Sequence, residues 1–412
     1  MKKPVIKKTK TNLKMVLAGF LASLVLFVST LGFANLKFSE YSDDNSIEDM
    51  ADDLDCDMGY ISQFGNHFVR MEHNNKEPIY VCLDEELTDK EKESAIKTLD
   101  YMFGIVGTIN ENYTYKIVSK SEYFSKVGKS KIYYKLGTLK SEYEGQEFKS
   151  NGYIMSIPNL VSFLTAKRTR NNFIINIDRD QIAKSESEVQ LEYTLLHELM
   201  HAFGFKDVYT VTRLKETDKY QGNTYINSSL DEIGMLTPND VKCLISLYSQ
   251  DDTEKDRMYD FLEAYSNNYY QNYTEVVADK YGKIDDFNER EIEIEGGLRV
   301  TKEDGSQHGY IYQVNIEDDK YEFRILDYFS NELLDSCSGD IVYANGMAIL
   351  KDIELKTGMR PYDSSSSYSG GFVQDLVVGY LGKYKKQLTL YDYNTNWGIN
   401  CQVLKLEKSI DR

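Results

Sequence analysis

His197 and His201 stand four residues apart in "LLHELMHAFGF", an otherwise apolar stretch, with Glu198 directly after the first. In a strand these two residues would lie about 13 Å apart. On a helix they share a face one turn apart, so their imidazoles can reach a single point. The chain holds five His and 66 acidic residues in 412, so a His-acid-x-x-His string arises by chance roughly 0.01 times in such a composition. An ordinary buried helix would leave two imidazoles and a carboxylate to be satisfied at a cost of several kcal/mol. A shared metal ion removes that cost. Imidazole suits Zn²⁺, catalytic zinc takes three protein ligands, and a Glu beside the first His can act as general base on a water at the metal.

The chain opens on "MKKPVIKKTKTNLK", with six lysines and no acid, followed by "MVLAGFLASLVLFVSTLGFA", Met15 to Ala34 without a charge. This is the pattern of a signal peptide with a cleavage site near Gly32-Phe33-Ala34, or of a retained signal anchor of spanning length. Both place everything after about residue 35 outside the cytoplasm, secreted or at the cell surface. The whole chain carries −18; without the six lysines the exterior part carries −18 − 6 = −24. That charge speaks against nucleic acid and anionic membrane surfaces as partners. The remaining 412 − 34 = 378 residues exceed one typical core and predict two domains.

Residues 35–77 are acidic and turn-rich, and read as a stalk or propeptide, within which Cys56 invites the idea of a thiolate that plugs the metal. The five cysteines, 56, 82, 243, 337 and 401, are too scattered for a disulfide scaffold. Cys56–Cys82 and Cys337–Cys401 are candidate bridges, and Cys243 reads as apolar packing.

From residue 78 the pattern is α/β. "PIYVCLD" reads as a strand, "TDKEKESAIKTLDYMFGIV" as a helix capped by Thr88 with Glu91 three residues on, and "YTYKIVSK", "SKIYYKLGTL", "NGYIMSI" and "NNFIINIDRDQI" as further strands. The motif helix begins near Ser185 and stops at Gly204, where the chain can turn back on itself. Asp207, six residues after His201, is placed to supply a third ligand; Glu216, Asp218 and Glu232 are rivals.

"HELMHAFGFKD" resembles the HExxHxxGxxH/D signature of the metzincin clan of zinc metallopeptidases, in its Asp form. "DEIGMLTPNDVKCLISLY" is similar to the Met-turn and the helix after it. The resemblance covers about residues 78–250, a zinc metallopeptidase domain, and is specific only at these two motifs. It implies a metzincin-like catalytic domain, a twisted mixed sheet plus an active-site helix. Zinc would be held by His197, His201 and Asp207, with Glu198 as general base and Met235 beneath the metal. Two departures stand out: 27 residues, 208–234, separate Asp207 from Met235, and Leu236 and Thr237 follow the Met where some families have Tyr.

Residues 251–284 read as a charged helical connector with few contacts across it. From 285 to 412 seven or so short strands predict an all-β accessory domain, a sandwich or small barrel that folds alone. It carries no catalytic constellation, and His308 in it is isolated. A ligand for it is expected, of chemistry the residues do not specify. The expected function is exported zinc-dependent hydrolysis of peptide bonds in a protein or peptide. The rival is a non-catalytic cell-surface binding protein carrying a relic of that domain.

Overall fold

The structure is a computed structural model. It describes residues 44–156 apart from 57, 65–66, 72–76, 139, 144–145 and 150, and residues 169–184, 189–207, 224–227, 234–249 and 255–281. Further on it describes 291–301, 307–355 apart from 318 and 346, 372–380, 387–392 and 397–407. The apolar run Met15–Ala34 lies outside these residues.

The first unit is built on a mixed sheet of β1 (Ile79–Leu83), β2 (Tyr115–Ile117), β3 (Lys131–Leu136), β4 (Gly152–Ser156) and β5 (Asn172–Ile177), in the order β2-β1-β3-β5-β4. Four strands run parallel; β4 pairs antiparallel with β5 and forms an edge of the sheet. The strands β1, β3 and β5 are buried on both faces, in keeping with their predominantly apolar and aromatic residues. Alternation divides them: Val81, Ile132, Tyr134, Phe173 and Ile175 join the main core, while Tyr80, Cys82 and Tyr133 pack with Val118 and Tyr123 on the other face.

Helix α1 spans Asp44–Asp53, and α2 spans Asp89–Ile109 with the Thr88–Glu91 capping box formed as expected. The short helices α3 (Lys120–Ser125) and α4 (Arg179–Ile182) follow, then α5 (Gln190–Ala202), α6 (Pro238–Tyr248) and α7 (Lys255–Tyr281). Helix α2 lays Leu99, Met102 and Val106 into the same core as Leu195 and Leu199 of α5.

Residues 44–71 are part of that core. Ile47, Met50, Ala51 and Leu54 sit at i, i+3, i+4 and i+7 on α1 and are buried against α6. Tyr60, Ile61, Phe68 and Met71 follow them inside. A segment read as stalk or propeptide is thus packed as integral structure over these residues.

The C-terminal strands are β6 (Glu291–Thr301), β7 (Gln307–Glu317), β8 (Lys320–Asp327), β9 (Leu333–Ala344), β10 (Met347–Leu355), β11 (Phe372–Tyr380), β12 (Gln387–Asp392) and β13 (Trp397–Glu407). Each pairs antiparallel with its neighbour in sequence, and the sheet curls until β6 pairs with β13, closing a barrel. The count exceeds the expected seven because "DIVYANGMAILKDIEL" is two elements, reversed at Asn345, whose φ is +49°. Ala344 pairs with Met347 across the reversal, and Asn-Gly in sequence is the pattern that favours such a tight hairpin. Tyr312, Val314 and Ile316 of β7 and Tyr321, Phe323 and Ile325 of β8 alternate inward.

The connector is more than charged. Met258, Phe261, Leu262 and Tyr265 of α7 lie on the first core, and Tyr269, Tyr270 and Tyr273 pack with Ala344, Met347 and Ile349 of the barrel. The Asn345 amide donates to the Gln271 carbonyl at 3.0 Å and to Thr274 Oγ1 at 2.8 Å.

Candidate metal centre

Helix α5 carries His197 and Glu198 into the protein, at 8% and 6% exposure, on a segment whose Leu195, Leu199, Met200 and Ala202 fix its inner face. The helix ends because Gly204 takes φ +109°, where a Cβ would stand 2.4 Å from the Val69 carbonyl oxygen. Only glycine fits there. The chain then runs against residues 60–62: Ser62 N–H donates to the Gly204 carbonyl at 2.7 Å and Lys206 N–H to the Tyr60 carbonyl at 2.9 Å. This backing turns Asp207 towards the helix. Its Oδ1 lies 3.2 Å from His197 Nε2 and 3.5 Å from His201 Nε2.

His201 Nδ1 is 3.0 Å from the Phe205 carbonyl. A carbonyl only accepts, so Nδ1 carries the hydrogen and a neutral ring keeps its lone pair on Nε2. That lone pair faces a carboxylate oxygen. Two acceptors so placed repel unless a positive charge lies between them, either a proton or a cation. Without metal the proton does this. Burial alone would lower the His201 pKa, but the Asp207 carboxylate raises it above its ordinary value. Burial likewise works to raise Asp207, and the two imidazoles overcome it, holding its carboxyl well below the usual range. Asp207 Oδ1 makes no directed hydrogen bond, so the contact is one of charge. His197 Nδ1 is buried without a hydrogen-bond partner.

The donor set fits a metal. His197, His201 and Asp207 each offer one ligand atom, all within 4.8 Å of one another, and form a His-His-carboxylate trio of the kind zinc accepts. Among the described residues this is the one such group.

Glu198 points to the side of the sheet edge. Burial pushes its carboxyl up and the neighbouring His197 and His201 pull it down, leaving it raised; the Ile154 backbone N–H donates to it. Strand β4 comes this close because residue 152 is glycine: a Cβ there would lie 2.7 Å from Thr194 Cγ2 and 3.3 Å from Glu198 Cγ.

Met235 is half-buried and packs against the cluster of Tyr269, Tyr270, Tyr273 and Met347. The residue after it is clamped. Leu236 N–H donates to Tyr101 Oη at 2.8 Å, Tyr265 O–H donates to the Leu236 carbonyl at 2.8 Å, and the two hydroxyls lie 2.6 Å apart. Asp240, fully buried, closes a capping box with Thr237 and also accepts from Tyr225 N–H at 2.8 Å and from the Thr224 hydroxyl. The structure thus brings together His197, Glu198, His201 and Asp207. The rivals Glu216, Asp218 and Glu232 lie outside the described residues; His308 sits in β7 opposite Val300.

Sequence reasoning missed the supports: the Phe205 carbonyl, the Ile154 amide, Gly152, and residues 60–62. The helical spacing of Ile47, Met50 and Leu54 was the one available signal that this N-terminal segment is core. No known protein family's profile matches the chain, and no curated protein matches it.

Proposed function

We propose that this chain is an exported zinc-dependent endopeptidase of metzincin-like type. The observation that carries the reading is the contact of Asp207 Oδ1 with His201 Nε2, an acceptor facing an acceptor, and with His197 Nε2 at 3.2 Å, beside a buried Glu198. A divalent cation resolves it, and these three side chains would hold that cation. Zinc, when bound, supplies a Lewis acid that makes a water more acidic and polarises a carbonyl. Glu198 takes the proton from the water and delivers it to the leaving amine, a role helped by a carboxyl whose pKa burial has raised. The Ile154 N–H fixes which way that carboxylate faces. Strand β4, antiparallel and at the sheet edge, offers its free side to an extended peptide by strand addition.

The test is hydrolysis of casein and of quenched peptides by the full exterior chain, with and without a chelator. Chelator-sensitive cleavage restored by zinc is expected. A zinc-loaded, folded chain that cleaves nothing across a broad peptide library refutes the reading.

A further inference from the structure

Cys56 and Cys243 are 187 residues apart in sequence, yet their Sγ atoms lie 2.9 Å apart. Cys243 is fully buried on α6 and Cys56 is half-buried just past the end of α1. The approach is held from several sides. Asp55, at φ +49°, turns the chain after α1 and its carbonyl accepts from Lys242 Nζ at 2.9 Å. Asp53 pairs with Lys255 at 2.6 Å and its carbonyl accepts from the Tyr259 hydroxyl at 3.3 Å. The α1 face carrying Ile47, Met50 and Leu54 packs with Val241 and Leu244 in one core. The two sulfurs are therefore brought together by structure that does not depend on them.

Two thiols this close have few uses. A structural metal site takes three or four ligands, and among the described residues the only group able to hold a metal is His197, His201 and Asp207. We propose that Cys56 and Cys243 are a disulfide site, closed by exchange with an oxidised thiol–disulfide carrier. One thiolate attacks a carrier sulfur, giving a mixed disulfide and one carrier thiol. The other thiolate then attacks the protein sulfur and releases the second carrier thiol, so the protein loses two hydrogens and the carrier gains them.

The bond has a specific mechanical consequence. Cys56 immediately precedes the residues that back the Asp207 loop through Tyr60 and Ser62. Fixing Cys56 to α6 fixes the start of that backing. The inference stands without any metal at the site: a chain with this bond and no peptidase activity keeps it and sinks the preceding proposal.

The experiment uses the full chain incubated with oxidised glutathione, then denatured in N-ethylmaleimide and digested for peptide mass mapping. The expected result is a linked pair of peptides containing Cys56 and Cys243, two hydrogens lighter than their sum, with neither residue alkylated. Alkylation of either, or linkage of either to Cys82, Cys337 or Cys401, overturns the proposal. In parallel, reductant should lower the melting temperature by on the order of 10 °C, as expected for so long a loop, and should leave the already lower melt of Cys56→Ser unchanged. A reductant-sensitive melt that persists in Cys56→Ser places the bond elsewhere and also overturns it.

Discussion

Replacing Gly204 by alanine tests whether the loop that carries Asp207 is held as the structure describes. At φ +109° a residue with a Cβ is strained, by about 1–3 kcal/mol for a sparsely populated backbone region. The new methyl would also stand 2.4 Å from the Val69 carbonyl oxygen and 3.6 Å from Leu247 Cδ1. The first contact is with backbone, which must shift, and overpacking of this kind costs about 1–3 kcal/mol. Alanine stiffens the unfolded chain and recovers about 0.4–1 kcal/mol, too little to change the sign. The net loss is about 2–5 kcal/mol, or roughly 5–15 °C in melting temperature for a domain of this size. Gly128 is the control: it too has positive φ, +73°, but an added Cβ would meet nothing within 4 Å. Gly128→Ala should therefore lose only the backbone part, about 1 kcal/mol. Melts of both variants followed by circular dichroism separate the two contributions. If Gly204→Ala melts no lower than Gly128→Ala, Val69 is not a fixed wall and the account of the loop is wrong.

Glu198→Gln should keep the shape of the site and its zinc, measured by metal analysis, while peptide hydrolysis falls at least about 10²-fold; ordinary activity in a zinc-loaded variant rules out the base. Asp207→Ala should weaken zinc binding by more than about 10²-fold in a chelator competition, and Asp207→His should restore much of it; parental affinity in Asp207→Ala removes it from the ligand set. Burial pushes the Asp240 carboxyl up to about 6 from 3.8, against the hydrogen bonds from Thr224, Tyr225 and Thr237. The folded state then holds a proton that the unfolded state has released, so this contribution is present below about pH 4 and is lost as pH rises through about 6, by about 3 kcal/mol. Denaturant midpoints should show that fall across pH 4–7 in the parent and not in Asp240→Asn; parallel curves would contradict it.

The parts of the candidate site that were legible in the sequence are those set by local periodicity. His197, Glu198 and His201 sit at helical spacing, Gly204 marks the stop, and Thr88 with Glu91 and Thr237 with Asp240 mark helix starts. Strands β1 to β5 were legible because each is a short stretch rich in β-branched and aromatic residues between turn residues. What was not legible is what depends on distant chain. Nothing near Cys56 points to Cys243. Nothing in "MGYISQF" announces that Tyr60 and Ser62 back the loop after α5. The tyrosines of α7 read as part of a charged connector, because the surface that buries Tyr269, Tyr270 and Tyr273 is supplied by barrel strands about seventy residues further along the chain.

That helix bears on how the two halves of the protein can move. Hinges work where a few residues take up large backbone rotations and little else touches. Among the described residues the junction is a helix of 27 residues, about 40 Å long, with Met258, Phe261 and Leu262 on the first core, Tyr265 near its middle anchored to Leu236, and Tyr269, Tyr270 and Tyr273 packed on the barrel along the next turns. Swinging the barrel would mean bending that rod or tearing ring from ring. The helix ties the two halves together at the level of single rings: Tyr265 holds the Leu236 carbonyl, and one turn on Tyr269 and Tyr270 pack with Ala344, Met347 and Ile349 of β9 and β10.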